Sequence, residues 1–154
     1  MPGQGAIRLP LGNESTILPL ISAEDVERIA VGLLTGPALT AGAAYPVIGS
    51  TISIKEIVGA FARVLNRDIH YEEINDEQWR NEVLARGWNA HAVEHLSSLW
   101  KSLRAASLSA EAARFAVTDT IEKIGGAKPK TFEQFVREQQ SELATQPAAA
   151  RAQA

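Results

Sequence analysis

The chain has 154 residues, 45% of them hydrophobic, enough for one packed domain or part of a larger one. Its net charge of −3 argues against nucleic-acid binding through a broad basic surface and against polybasic membrane attachment. With no cysteine it has no disulfide, no thiolate catalysis and no cysteine-ligated metal cluster, and it suits a reducing, cytoplasmic setting.

The opening MPGQGAIRLPLGNES lacks a basic region followed by an apolar run, so no secretory signal is expected. No segment approaches the roughly 20 apolar residues of a membrane helix. Residues 6–12 read as a strand closed by the turn residues Gly12 and Asn13, and residues 16–21 as a second extended piece. Pro10 and Pro19 remove ladder donors, which confines both to sheet edges or loop-like extensions.

Ser22 is placed to cap a helix, with Glu24 and Asp25 in a first turn that favours negative charge. Val26, Ile29, Ala30, Leu33 and Leu34 recur at helical spacing as its apolar face. Thr35, Gly36 and Pro37 stop it, Gly36 being free to take a left-handed cap. Residues 45–49, YPVIG, read as a short buried strand, and Ser53 with Glu56 as a capping box. The helix behind it carries Ile54, Ile57, Val58, Phe61, Val64 and Leu65, and residues 69–74 form a strand with one wet face. Strand, capped helix and strand together read as a crossover unit.

The rest is helical. Residues 76–86 bury Trp79, Val83 and Leu84, and residues 90–106 bury Val93, Leu96, Leu99, Trp100 and Leu103. A short helix spans 119–125, and a last one, capped by Thr131 with Gln134, buries Phe132, Phe135 and Val136. Residues 144–154 carry no period and are expected to form a disordered tail after a structured region of 1–143.

Little here carries chemistry by itself. His91, Glu94 and His95 fit the H-x-x-E-H string of inverted zinc metalloproteases, whose two histidines hold zinc beside a glutamate base. However, all three fall away from the apolar stripe and no third ligand is marked, so a solvated helix flank explains them and no metal is expected. Gly49, Ser50 and Thr51 carry one glycine and no lysine, a plain connection and not a phosphate loop. There is no G-x-S-x-G elbow. Tyr45 and Tyr71 are followed four residues on by Gly49 and Asn75, so the reductase Tyr-x-x-x-Lys pair is missing. Glu72, Glu73, Asp76 and Glu77 suit a charged strand face and helix start. Trp79 and Trp100 read as core. Trp88, in a loop after Gly87, is the candidate for a substrate pocket.

In order, the runs ILPLISAEDVERIAVGLLTGP, YPVIGSTISIKEIVGAFARVLNRDIHYEEI and TDTIEKIGGAKPKTFEQFVREQ resemble the C-terminal half of NmrA-like proteins, atypical short-chain dehydrogenases/reductases. The carriers are Asp25-Val26, the step from Val64 to Arg67, His70-Tyr71, and Thr118, Glu122, Gly126, Pro129 and Thr131 to Phe135, over about residues 6–138. The resemblance implies an α/β chain: the C-terminal portion of a Rossmann-type fold, with a small sheet, a helix-rich substrate side and no glycine-rich cofactor half. It implies NAD(P)H and a small-molecule substrate for the complete family member, a reductase or a redox sensor. For this chain it carries over no catalytic or cofactor-binding residue, and a truncated chain, inactive alone, is expected. The alternative is a non-catalytic module that binds a protein or self-associates through an exposed sheet edge.

Overall fold

The computed structural model describes residues 5–36 and 42–145; the tail from residue 146 and Pro37 lie outside them. The strands are β1 (Gly5–Leu9), β2 (Ile17–Leu20), β3 (Ser50–Ser53) and β4 (Ile69–Glu73). The helices are α1 (Ala23–Thr35), α2 (Ile54–Leu65), α3 (Asp76–Ala85), α4 (Ala90–Ser107), α5 (Thr120–Gly125), α6 (Phe132–Glu138) and α7 (Gln140–Thr145), with a 3-10 turn at Ala110–Phe115.

Two separate two-stranded sheets hold the chain together. β1 runs parallel to β4, pairing Gly5 with Ile69 and Leu9 with Glu73. β2 runs antiparallel to β3, pairing Ile17 with Ser53 and Leu20 with Ser50. Residues 45–49 are therefore not a strand: pairing starts at Ser50, one residue past Gly49, and continues to the N-cap of α2. β3 and β4 sit in different sheets, so the segment from β3 through α2 to β4 is no crossover within one sheet. Each strand has a free edge among the described residues, consistent with Pro19 lying within β2.

Local chemistry starts the helices as expected. Ser53 accepts from the Glu56 N–H at 3.2 Å while Glu56 accepts from the Ser53 N–H at 2.8 Å, and Asn75 with Gln78 and Thr131 with Gln134 repeat the arrangement. α2 ends on Asn66 in the left-handed conformation, φ 48°. Gly36, by contrast, caps α1 with φ −75°, an extended conformation open to any residue.

The core has two linked parts. Leu11, Leu18, Ile54 and Val58 pack where α2 lies on the sheets; Ile74, Trp79, Val83 and Val93 pack between α3 and α4. Leu9 and Trp100 touch both. Trp79 stands edge-to-face to Trp88 and to Trp100, with centroids 6.4 and 6.3 Å away.

On α1, α3 and α4, four apolar side chains expected inside are not. Leu84 and Leu99 are exposed because α3 and α4 meet along the stripe of Trp79, Val83, Val93 and Ser97, which places those leucines on the flank. Leu34 is 86% exposed and Val26 about half, because α1 turns Ile29, Asp25 and Gly32 toward α5. A Cβ on Gly32 would collide with the Ile124 carbonyl oxygen, so the helices approach this closely only over glycine.

Candidate functional site

An apolar cleft lies where the end of β2, the start of α1, Ser50 and the start of α6 converge. It encloses about 200 Å³. Leu20, Ile21 and Ala23 form one wall, Phe132 and Phe135 the other. α6 is amphipathic: Val136 is fully buried beneath it, while Phe135, expected inside, stays 41% exposed at the cleft rim. Phe132 is fixed by edge-to-face contact with Phe61, centroids 5.4 Å apart, and lies 6.1 Å from Phe135.

Ser22, Thr131 and Lys130 around this cleft are already engaged. Ser22 Oγ accepts from the Asp25 N–H at 3.0 Å, and Thr131 Oγ1 from the Gln134 N–H at 3.2 Å. Lys130 Nζ sits between Glu24 and Glu138, 2.6 Å from the latter. These carboxylates, Glu138 foremost, raise the lysine above its ordinary value and keep it charged and neutralised.

Beside the cleft is an ion pair with a buried carboxylate. Asp25 is 1% exposed and pairs with Arg28 one turn on. Its other oxygen accepts from the Lys130 N–H at 2.9 Å. Arg28 donates to the carbonyls of Gly125, Ala127 and Lys128 at 3.0, 3.1 and 3.1 Å. One side-chain pair thus satisfies the irregular connector between α5 and α6, which has no ladder of its own. Burial alone would raise the Asp25 carboxyl; the Lys130 N–H, the Ser22 hydroxyl and Arg28 outweigh it and hold it below the usual value. At Gly49, just before β3, a Cβ would stand 3.3 Å from Ile121, Pro129 and the Leu20 carbonyl oxygen.

The residues singled out from the sequence do not meet at this cleft. Trp88 is half-buried at the far side, against Trp79. Its Nε1, that of Trp100 and the Ser97 hydroxyl are buried without a hydrogen-bond partner. His91 and His95 are exposed on α4, and Glu94 is taken by Arg80, with one contact at 2.9 Å. Among the described residues no group of three acidic, histidine or cysteine side chains is placed to hold a metal. In the acidic run, Glu72 pairs with Arg8 at 3.1 Å and Asp76 with Arg104 at 2.8 Å, both structural links. The sequence reading missed Asp25 as a buried group. The only local sign was Arg28 three residues on, a spacing shared by many exposed pairs.

Comparison with known proteins places this architecture. No family model matches the chain. Over 136 residues it is 27% identical to Prestalk A differentiation protein A of Dictyostelium discoideum, covering 88% of this chain and 42% of that protein. Over 135 residues it is 27% identical to an NAD(P)H azoreductase of Xenophilus azovorans, covering 87% and 44%. Among solved structures, Citrobacter sp. triphenylmethane reductase superposes with a TM-score of 0.72 at 15% identity, covering 89% of this chain and 45% of that one. The same enzyme complexed with NADP(H) gives 0.71 at 16% identity, covering 87% and 44%. A Staphylococcus aureus nucleoside-diphosphate-sugar epimerase gives 0.68 at 16% identity, covering 84% and 43%. The chain has the α/β architecture of one portion of a Rossmann-type fold. It spans less than half the length of each of these relatives. Among the described residues no helix is long and apolar enough to cross a membrane.

Proposed function

We propose that this chain is the substrate-side portion of an NmrA-like, NAD(P)H-dependent reductase or redox sensor. The apolar cleft over Phe132 and Phe135 would contribute to the pocket for a small organic substrate. The observation that carries this reading is the pattern of coverage: nearly nine-tenths of the chain follows less than half of an NAD(P)H azoreductase in sequence and of a triphenylmethane reductase in structure. The sequence given also contains no glycine-rich strand-to-helix turn to cradle a dinucleotide. The chain by itself is then a binding and scaffold element without a complete cofactor site, working in a reducing, cytoplasmic setting. Isothermal titration of the 154-residue protein with NADPH should show no binding up to millimolar concentration; micromolar affinity would overturn the reading.

A second reading is favoured by one observation. The free strand edges of two small sheets, with Leu34 standing exposed on α1, suit self-association. Light scattering coupled to size exclusion would then return a dimer, and a stable, well-dispersed monomer would end that reading.

A further inference from the structure

We infer that the cleft between β2, the start of α1 and α6 binds a neutral aromatic molecule of one or two fused rings, held between Phe135 and the Leu20–Ile21 wall and carrying a hydrogen-bonding group toward Ser50. Three observations carry this. The first is size: about 200 Å³ lies below the roughly 300–1,000 Å³ of clefts that take drug-sized ligands, which selects a fragment-sized occupant. The second is charge. Lys130, the one cation in the lining, is consumed by Glu24 and Glu138, and the Ser22 and Thr131 hydroxyls are consumed by their own helix caps. An anion meets two carboxylates beside the lysine, and a cation meets the lysine, so a charged ligand loses its hydration without gaining a partner. The third is the rim. Phe132 is locked by Phe61, whereas Phe135 keeps 41% of its surface exposed beside it, a ring face available for stacking at the mouth. Ser50 is the lining hydroxyl left for the ligand, since no hydrogen bond engages its side chain among the described residues.

The inference rests on the substrate-side reading for its biological role. Its test needs no cofactor, so either can fail while the other stands. The 154-residue protein is titrated with 2-naphthol by calorimetry and by amide chemical-shift perturbation, with 2-naphthalenesulfonate and 2-naphthylmethylammonium as charged counterparts. Neutral naphthol should bind at micromolar to submillimolar concentration and shift the amides of Ala23, Ser50 and Phe132. Each charged analogue should bind at least about tenfold more weakly, a loss in keeping with placing an unpaired charge in an apolar site. Phe135→Ala, at a rim position that supports little of the core, should weaken naphthol about three- to tenfold. Ala23→Phe, which fills the cleft without removing a packed group, should abolish binding while Trp88→Ala leaves it unchanged. No binding at millimolar naphthol, equal or tighter binding of either charged analogue, or full affinity in both Phe135→Ala and Ala23→Phe overturns the inference. Loss of affinity in Trp88→Ala with the helical signal intact also overturns it, because the ligand would then sit in the tryptophan cluster.

Discussion

Two regions of this molecule solve one problem, an acidic side chain and an arginine pinning a loop, with different support behind them. On the cleft side, Asp25 is 1% exposed and Arg28 feeds three backbone carbonyls of a connector that has no regular pairing. On the tryptophan side, Arg104 grips Asp76 with two bonds of 3.1 and 2.8 Å and also donates to the Pro10 carbonyl; the two arginines are about equally exposed, but here a quarter of the carboxylate side chain meets water as well. There Trp79, Val83, Val93 and Ile74 supply an apolar core beneath the pair, and Tyr71 ties the same loop by donating to the Leu9 carbonyl at 2.7 Å. The lesson is that an ion pair matters in proportion to what else holds its loop. Where a loop has other ties the pair is an accessory; where the backbone is irregular it supplies the polar partners that the nearby buried Ile29, Ile121 and Val136 cannot.

Mutation can break this contrast. The largest effect should come from Trp79→Ala, which empties the centre of the tryptophan cluster and costs about 4 kcal/mol by urea denaturation. Next, Asp25→Ala should cost about 3 kcal/mol, because it strands Arg28 and the Lys130 N–H. Asp76→Ala should cost only about 1 kcal/mol, since its partner can turn to water. Equal losses at Asp25 and Asp76 would remove the distinction. Acid titration sharpens it further. Both carboxyls are held below their usual values, Asp25 as described and Asp76 chiefly by its bonds to Arg104. A depressed folded value means the unfolded chain binds the proton first. The stabilisation is therefore complete above the ordinary carboxylate value near ~4 and is lost as pH falls through the folded one. Urea midpoints measured at pH 6 and pH 3 should drop steeply in the parent and less in Asp25→Asn. A parallel drop in both would show that Asp25 contributes nothing to acid sensitivity.

What could be read from the sequence follows the range of the interactions. Ser53 with Glu56 and Thr131 with Gln134 were legible because a capping box closes within one turn. Trp79, Val83 and Val93 followed from helical period. β3 was not legible: Ser50 to Ser53 has no alternation of its own and becomes a strand only by pairing with β2, more than thirty residues earlier. YPVIG looked the better strand because apolar residues mark it, yet its backbone bonds go singly to Leu20 and Thr118 and build no ladder. On α4 the period was right but the buried stripe runs through Ser97, a polar residue no hydropathy pattern would choose. At the cleft, Phe132 and Phe135 were visible as apolar positions, but that one is locked and the other left at a rim depends on Phe61 arriving from α2. Trp88 was singled out for its loop; it packs against Trp79, a contact the loop position alone did not announce.

The reach of Arg28 has a consequence for how the chain assembles. Its carbonyl partners lie about 100 positions downstream, so the link closes a loop of most of the described chain. Loop closure of that length is entropically slow, and nothing local can hold the connector in advance. The arginine is thus a late lock on the connector: α2, α3 and α4 can condense first, α6 can dock on α2 through Phe132 and Phe61, and the connector is fixed when Arg28 and Asp25 seat it. In pulse-labelling exchange, the Lys130 amide, whose protection is the Asp25 carboxylate itself, should gain protection after those of α2; simultaneous protection would show that the lock and the body form as one.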